Sequence, residues 1–165
     1  MVKHNKAKII WTLFTVLFAL YLFSNSVYQK QQSFRQSTLV LEYMKAFFAN
    51  AGISISISEG FLRKLAHFIE YFLFGSILSV TMHIYVKSLR RYFFPQLFTL
   101  LVIPVIDEYI QIYSGRTSSV TDIILDFLSG LAGMGICLLF LRVIHCIRAH
   151  IKAGGKTHKK SGFRQ

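Results

Sequence analysis

The chain contains four apolar runs, and each is long enough to cross a membrane as an α-helix. They cover residues 9–27, 65–86, 92–112 and 123–147. A helix needs about 20 apolar residues to span the hydrocarbon core, where only helices and closed barrels satisfy the backbone polar groups. Charged residues make up 16% of the 165 residues, below the roughly 25% of an ordinary soluble domain. The runs therefore predict an all-α membrane protein with four transmembrane helices in one domain over residues 1–150, followed by a basic tail at 151–165.

The first run also permits a second interpretation. Lys3, Lys6 and Lys8 precede it, and Ser24-Asn25-Ser26 ends its apolar stretch, an arrangement that also describes a secretory signal peptide. The run is long for the apolar part of a signal peptide, and retaining it gives a consistent topology. We therefore predict that it is a membrane span.

Basic residues concentrate on one side of the predicted membrane. The N-terminus, the 87–91 turn and the C-terminal tail share that side and hold most of the 19 basic residues, whereas the seven acidic residues lie in the spans or on the other side. The positive-inside rule predicts cytoplasmic termini, with residues 28–63 and 113–121 outside. We therefore interpret the net charge of +12 mainly as a sign of topology. We also expect the basic tail to contact anionic membrane lipids. No nucleic-acid motif accompanies the charge, so we expect no nucleic-acid partner.

The first external loop contains a predicted short amphipathic helix. Leu41, Met44 and Phe48 follow a helical period, and Gly52 supplies a stop. We expect this helix either to lie on the outer leaflet or to pack over the mouth of the bundle.

The stretch "ISISISEG" that follows alternates polar and apolar residues like a β-strand. A single strand has no partner in this chain. Ser56 and Glu59 also fit a capping box that opens the second span, and we prefer this interpretation.

The second span carries polar side chains along one side. Lys64, His67 and Tyr71 fall on one helical stripe, with Glu70 next to it and Gly75 one turn deeper. Each residue alone has a structural interpretation, because a lysine can reach the interface as an anchor and a histidine or tyrosine can be buried with one hydrogen bond. Four polar residues together favour a side that faces the bundle interior.

The third span ends in a second polar group. Asp107, Glu108 and Gln111 cluster on about half of the helix, and Pro104 is expected to kink the helix just beneath them. These residues lie at the predicted outer end of the span.

The fourth span begins with a third polar group. Ser119 and Asp122 fit a capping box, which explains Asp122 but not Asp126, one turn deeper on the same face. Gly130 and Gly133 follow, and such small residues allow a neighbouring helix to approach closely.

All three groups are expected at one membrane depth, with Arg116 in the connecting loop. Ionisable clusters within a membrane are functional-site hypotheses. The alternative is a structural ion-pair network.

Cys137 and Cys146 lie on one predicted helix, too far apart to bridge each other, and there is no Cys/His zinc pattern. The sequence therefore predicts neither a metal site nor a cofactor.

The segments "KLAHFIEYFLFG" and "DEYIQIYSGRTSSVTDIILDFLSGLAG" resemble the VanZ-like family of bacterial membrane proteins. The positions that carry the resemblance are Lys64, His67, Tyr71, Glu108, Gln111, Arg116, Ser119, Asp122, Asp126, Gly130 and Gly133. The family often has Asn in place of Asp126, so this chain adds a carboxylate to the site. The resemblance implies a multi-pass protein of the bacterial plasma membrane, with a link to resistance against the glycopeptide teicoplanin.

Three functions are compatible with these residues. The leading hypothesis is a pocket that binds a lipid-linked or cell-wall-related ligand. The second is a membrane-embedded enzyme in which His67 acts as acid or base and Glu70 or Asp107 orients it; the sequence contains no recognisable activated nucleophile. The third is a small proton- or ion-coupled transporter with the acids as relays, which four spans without an internal repeat make less favourable.

Overall fold

The computed structural model describes residues 2–27, 39, 42–43, 58–86, 88–115 and 119–161. Four long helices account for most of them: α1 (Val2–Val27), α2 (Glu59–Tyr85), α3 (Leu89–Tyr113) and α4 (Val120–Ser161). Each contains a segment long and apolar enough to cross a membrane. The described residues include no strand, so the prediction of an all-α protein with four potential spans is confirmed. The predicted amphipathic helix of the first loop lies largely outside the described residues.

Two helices extend beyond the predicted spans. Helix α1 begins at Val2 and α4 continues to Ser161, although the apolar runs cover only 9–27 and 123–147. The length of an apolar run indicates which residues can lie in lipid. The helix that contains the run can be longer, because it continues wherever the flanking residues favour helix. Lysine and alanine, which occur in both extensions, are good helix formers.

The start of α2 differs from the predicted capping box. The N-cap is Ser58, whose side-chain oxygen accepts a hydrogen bond of 3.2 Å from the backbone N–H of Phe61. Glu59 is therefore the first helical residue, and the predicted pairing of Ser56 with Glu59 is wrong in register. Two serines that precede the same helix satisfy similar spacing rules, and only one of them can hold the cap.

Helices α2 and α4 form the most extensive contact in the bundle. A Cβ atom at Gly75 would overlap the backbone carbonyl of Gly130, and one at Gly133 would overlap the carbonyl of Phe72. A Cβ atom at Gly135 would meet nothing within 4 Å. Glycine at positions 75, 130 and 133 thus lets the backbones of α2 and α4 touch. We call this contact the glycine seam.

The remaining helices pack around this pair. A small apolar core fills the space between them and consists of Leu22, Tyr71, Phe74, Leu78, Leu100 and Met134. Helix α1 is peripheral, with 6% of its span buried. Its outward apolar side chains suit a lipid environment, where exposed hydrophobic residues carry no penalty.

Antiparallel packing gives the bundle two chemically different ends. At one end, the end of α1 meets α2 and α3 through Asn25–Glu70 and Ser26–Asp107 hydrogen bonds. We call this the acidic end. At the opposite, basic end, the Lys8 ammonium lies over the ring of Tyr85, 5.2 Å from its centroid.

Candidate functional site

The acidic end contains a set of polar side chains that are almost fully removed from solvent. Its members are Asp107, Glu108, Gln111 and Asp126, with relative exposures of 1%, 2%, 3% and 0%. Glu70 and His67 lie beside them and are partly buried. Charged groups at this depth in an apolar bundle require partners, because an isolated buried charge is strongly unfavourable.

Asp107 is held from two helices. The Ser26 hydroxyl, at the end of α1, donates to Oδ1 at 2.5 Å, and the Gln111 amide, one turn along α3, donates to Oδ2 at 3.0 Å. Both donors are neutral. Ser26 was not among the predicted site residues, because its position after an apolar run fits a signal-peptide cleavage site equally well.

Glu108 holds the start of α4. Its Oε2 accepts a hydrogen bond of 3.2 Å from the backbone N–H of Ser119, and the Ser119 hydroxyl accepts one from the N–H of Thr121. The predicted capping box assigned the first of these roles to Asp122. A carboxylate from the neighbouring helix takes it instead, and sequence spacing within one helix contains no signal for such a contact.

Glu70 is paired with the last turns of α1. Its Oε1 accepts from the Asn25 amide at 2.8 Å and from the Tyr21 hydroxyl at 3.4 Å. Sequence analysis did not identify Asn25 or Tyr21, because no pattern indicated that α1 lies against this side of α2.

His67 and Asp126 face each other across the seam between α2 and α4. The distance from His67 Nδ1 to Asp126 Oδ2 is 3.6 Å, which is too long for a hydrogen bond. Neither Asp126 oxygen, nor His67 Nδ1, nor the buried Tyr71 hydroxyl has a hydrogen-bond partner among the described residues. The Tyr71 ring is stacked almost parallel to the imidazole, with 6.4 Å between centroids.

Three helices meet at this point. His67 of α2, Asp107 of α3 and Asp126 of α4 each direct a nitrogen or oxygen atom toward the others, and these three atoms lie within 4.8 Å of one another. We call His67, Asp107 and Asp126 the central triad.

A model of the VanZ/LLP1 family matches residues 8–141, which is most of the chain. The chain belongs to the VanZ/LLP1 family. The match confirms the resemblance found in the sequence and extends it to α1, including the Ser26 that binds Asp107. No curated protein and no solved structure matches the chain.

Other predicted site residues of this VanZ/LLP1 protein lie outside the central triad. Lys64 is exposed in the first turns of α2, and Asp122 is half-buried near the start of α4. Arg116, predicted in the loop before α4, is outside the described residues. The one ion pair found among the described residues is His67–Asp126. Among the described residues, the carboxylates of Asp107 and Glu108 accept hydrogen bonds from neutral donors only. The predicted ion-pair network around Arg116 stays a prediction.

Proposed function

We propose that this VanZ/LLP1 protein is a plasma-membrane protein of the bacterial envelope that binds the polar headgroup of a lipid-linked or cell-wall-related ligand at its acidic end. The observation that carries the proposal is Asp126. Both of its carboxylate oxygens are fully buried and lack a hydrogen-bond partner among the described residues. A carboxylate in such surroundings is stabilised by a ligand that brings hydroxyl, amine or other cationic groups.

A groove near the acidic cluster offers room for such a headgroup. An open groove of about 510 Å³ lies between the ends of α1 and α3 and is lined by Val27, Ile110, Tyr113, Ser114 and Gly115. The groove is connected to the buried carboxylate of Asp107 through short polar contacts. The Ser114 hydroxyl donates to the Ser26 carbonyl at 3.0 Å, and the Ser26 hydroxyl in turn donates to Asp107.

Two tyrosines at the rim fit a location at the membrane–water interface. Tyr109 and Tyr113 are exposed, and their hydroxyls are 2.8 Å apart. Tyrosine is enriched at this level of membrane proteins because its ring is apolar and its hydroxyl is polar. A lipid headgroup at the same level has direct access to the groove.

The acidic end faces outward in this proposal, with both termini in the cytoplasm. Single cysteines at Ser37 and Thr117 should react with a membrane-impermeant reagent in intact cells, whereas cysteines at Ser88 and Ser161 should react only after lysis. The native cysteines are replaced first. Labelling of Ser88→Cys or Ser161→Cys in intact cells would reject this orientation.

The contribution to glycopeptide resistance is tested with variants that keep side-chain size. His67→Gln, Glu108→Gln and Asp126→Asn should reach normal membrane levels, lose the teicoplanin phenotype and lose any lipid that co-purifies with the wild-type protein. Mass spectrometry of extracted lipid and thermal unfolding in detergent accompany the susceptibility assay. If loss of phenotype always follows loss of folded protein, the cluster is structural and the proposal fails.

A membrane-embedded enzyme acting on a lipid or cell-wall bond is the second candidate. The 3.6 Å approach of Asp126 to His67 favours it, because catalytic hydrogen bonds are often long before substrate binds. Asp126, rather than the predicted Glu70 or Asp107, then orients the imidazole. Release of product from radiolabelled lipid-linked substrates by the wild type, abolished in His67→Gln, would support catalysis; binding without turnover would support the pocket.

A further inference from the structure

We propose that the central triad, His67, Asp107 and Asp126, binds a divalent first-row transition-metal ion. The proposal shares the unpartnered carboxylate of Asp126 with the proposed function, but it requires neither a headgroup ligand nor a resistance phenotype. It rests on the position of three potential ligand atoms from three helices and on the unpartnered, fully buried carboxylate of Asp126.

The spacing of the triad suits a metal better than a hydrogen bond. Ligand atoms about 2.0–2.2 Å from a tetrahedral ion are roughly 3.4 Å apart. His67 Nδ1 and Asp126 Oδ2 are 3.6 Å apart, too far for a hydrogen bond but close to this tetrahedral edge. The three ligand atoms lie within 4.8 Å of one another. Small side-chain rotations would bring all three to one ion.

The charges of the triad favour a bound cation. Asp107 and Asp126 are 1% and 0% exposed, and two carboxylates held together in a poorly hydrated space repel each other strongly. The described residues place no lysine or arginine side chain against either carboxylate. A divalent ion neutralises both carboxylates together, and a neutral imidazole completes the set.

Residues around the triad already hold its ligands in position. The Ser26 hydroxyl and the Gln111 amide each donate to one oxygen of Asp107. Each oxygen keeps a further lone pair for a metal. The Tyr71 ring is stacked on the His67 imidazole. Such outer contacts orient metal ligands and raise their affinity.

The other acidic residues of the cluster are engaged elsewhere. Glu70 accepts hydrogen bonds from Asn25 and Tyr21, and Glu108 accepts the backbone N–H of Ser119. The site therefore has one nitrogen and two carboxylate ligands. This donor set suits Zn²⁺ or Mn²⁺, whereas Mg²⁺ and Ca²⁺ prefer oxygen ligands alone. Three protein ligands also leave a coordination position for an outside molecule, as in catalytic zinc sites.

Sequence patterns indicated these three polar residues but no metal. Metal motifs are recognised by close spacing of ligands within one segment, and this triad takes a single ligand from each of three helices. Its neighbours in space are distant in sequence, so only the packing of the helices brings them together.

Metal content and metal-dependent stability of the full chain test the proposal. The protein is purified in detergent without a polyhistidine tag, its metals are quantified by mass spectrometry, and the chelated protein is titrated with Zn²⁺, Mn²⁺, Mg²⁺ and Ca²⁺. We expect about one Zn²⁺ or Mn²⁺ per chain and a raised unfolding temperature with that ion. His67→Gln and Asp126→Asn should bind at least about tenfold more weakly, because even loss of an outer partner costs 10–100-fold. Ser26→Ala, which removes such an outer partner, should weaken binding about tenfold.

Matched controls separate this site from other histidines and carboxylates. His83→Gln removes an imidazole from the same helix α2, and Asp122→Asn removes a carboxylate from the same helix α4; both should bind metal like the wild type. Co²⁺ added to the chelated protein should give a visible absorption spectrum that His67→Gln alters. Absence of both bound metal and metal-dependent stabilisation would overturn the proposal, as would undiminished binding in His67→Gln and Asp126→Asn or equal loss in the controls. A metal-binding protein without any lipid or resistance phenotype would leave this proposal standing and reject the proposed function.

Discussion

The bundle contains two polar layers, and they are built differently. The acidic end buries charged groups around the central triad. Toward the basic end, a second layer contains only neutral groups, which we call the neutral layer: Thr15, Ser79, Thr81 and Gln96. There, the Gln96 amide donates to the Ser79 hydroxyl, which donates to the Gly75 carbonyl at 2.9 Å. The hydroxyls of Thr15 and Thr81 are 2.8 Å apart and join α1 to α2.

The two layers differ in how completely their polar atoms are paired. Among the described residues, the acidic end has four buried side-chain atoms without a partner, on His67, Tyr71 and Asp126, whereas the neutral layer has one, Gln96 Oε1. A neutral hydrogen bond between membrane helices contributes about 0.6 kcal/mol, while a charged residue at the membrane centre costs about 2.5–3.5 kcal/mol on insertion scales. The neutral layer therefore suits a role in helix packing, and the acidic end suits a role that requires an outside partner.

The largest effect is expected where both layers are disrupted together. Gly133→Leu would place a side chain against the Phe72 carbonyl and separate α2 from α4. We expect a loss of more than about 3 kcal/mol, above the usual range for overpacking, seen as little folded protein in detergent. Gly135→Leu is the control, because its Cβ meets nothing within 4 Å. Equal tolerance of both substitutions would show that the seam does not hold the two layers together.

A change at Asp126 should separate stability from function. In chelated protein, Asp126→Asn removes the charge of a buried carboxylate that has no hydrogen-bond partner among the described residues. We expect stabilisation of up to about 3 kcal/mol, because a neutral amide is less costly to bury than a charged carboxylate without such a partner. The same variant should lose metal and phenotype. Thermal unfolding with and without chelator measures the effect. Destabilisation in chelated protein would mean that the carboxylate already has a partner within the bundle, and the contrast between the layers would fail.

The neutral layer should tolerate loss of its unpaired atom. Gln96→Leu removes a fully buried amide whose Oε1 has no partner among the described residues. The Ser79 hydroxyl keeps its bond to the Gly75 carbonyl. Loss of the Gln96 amide therefore leaves no buried donor unpaired on Ser79, and a lost hydrogen bond costs little under that condition. The unfolding free energy should change by less than about 1 kcal/mol, with the phenotype retained. Loss of phenotype in a folded Gln96→Leu protein would assign function to this layer too.

The smallest measurable effect is expected at the contact between α1 and α2. Thr81→Val removes the hydroxyl that meets Thr15, at a cost of about 0.6 kcal/mol, the average for such bonds between membrane helices. Thr99→Val is the matched control, since among the residues that the structure describes the Thr99 hydroxyl bonds only to the Pro95 carbonyl of its own helix. A larger loss for Thr99→Val would show that this difference between bonds within and between helices is irrelevant to stability.

Sequence alone predicted the helices well, because hydrophobic length is a local property. It also identified His67, Asp107 and Asp126 as polar residues at one depth, since depth follows from position within each span. It did not identify which side chains meet. Ser26 was missed because contacts between helices depend on packing, and Lys64 was placed on the stripe of His67 although the structure exposes it at the start of α2. The predicted hydrogen-bond partner of the Ser119 N–H, Asp122, was wrong for the same reason, because the acceptor is Glu108 of another helix.

The glycine seam has a consequence for how the chain is assembled. Its two helices are separated in sequence by α3, so the most extensive contact in the bundle can form only after α4 has entered the membrane. Until then, Asp107 and Glu108 of α3 are present without the helix that supplies Asp126 and Ser119. Synthesis of the last helix is therefore the step that completes both the packing and the polar cluster, and a chain interrupted before α4 would expose its carboxylates to lipid or to the quality-control machinery of the cell.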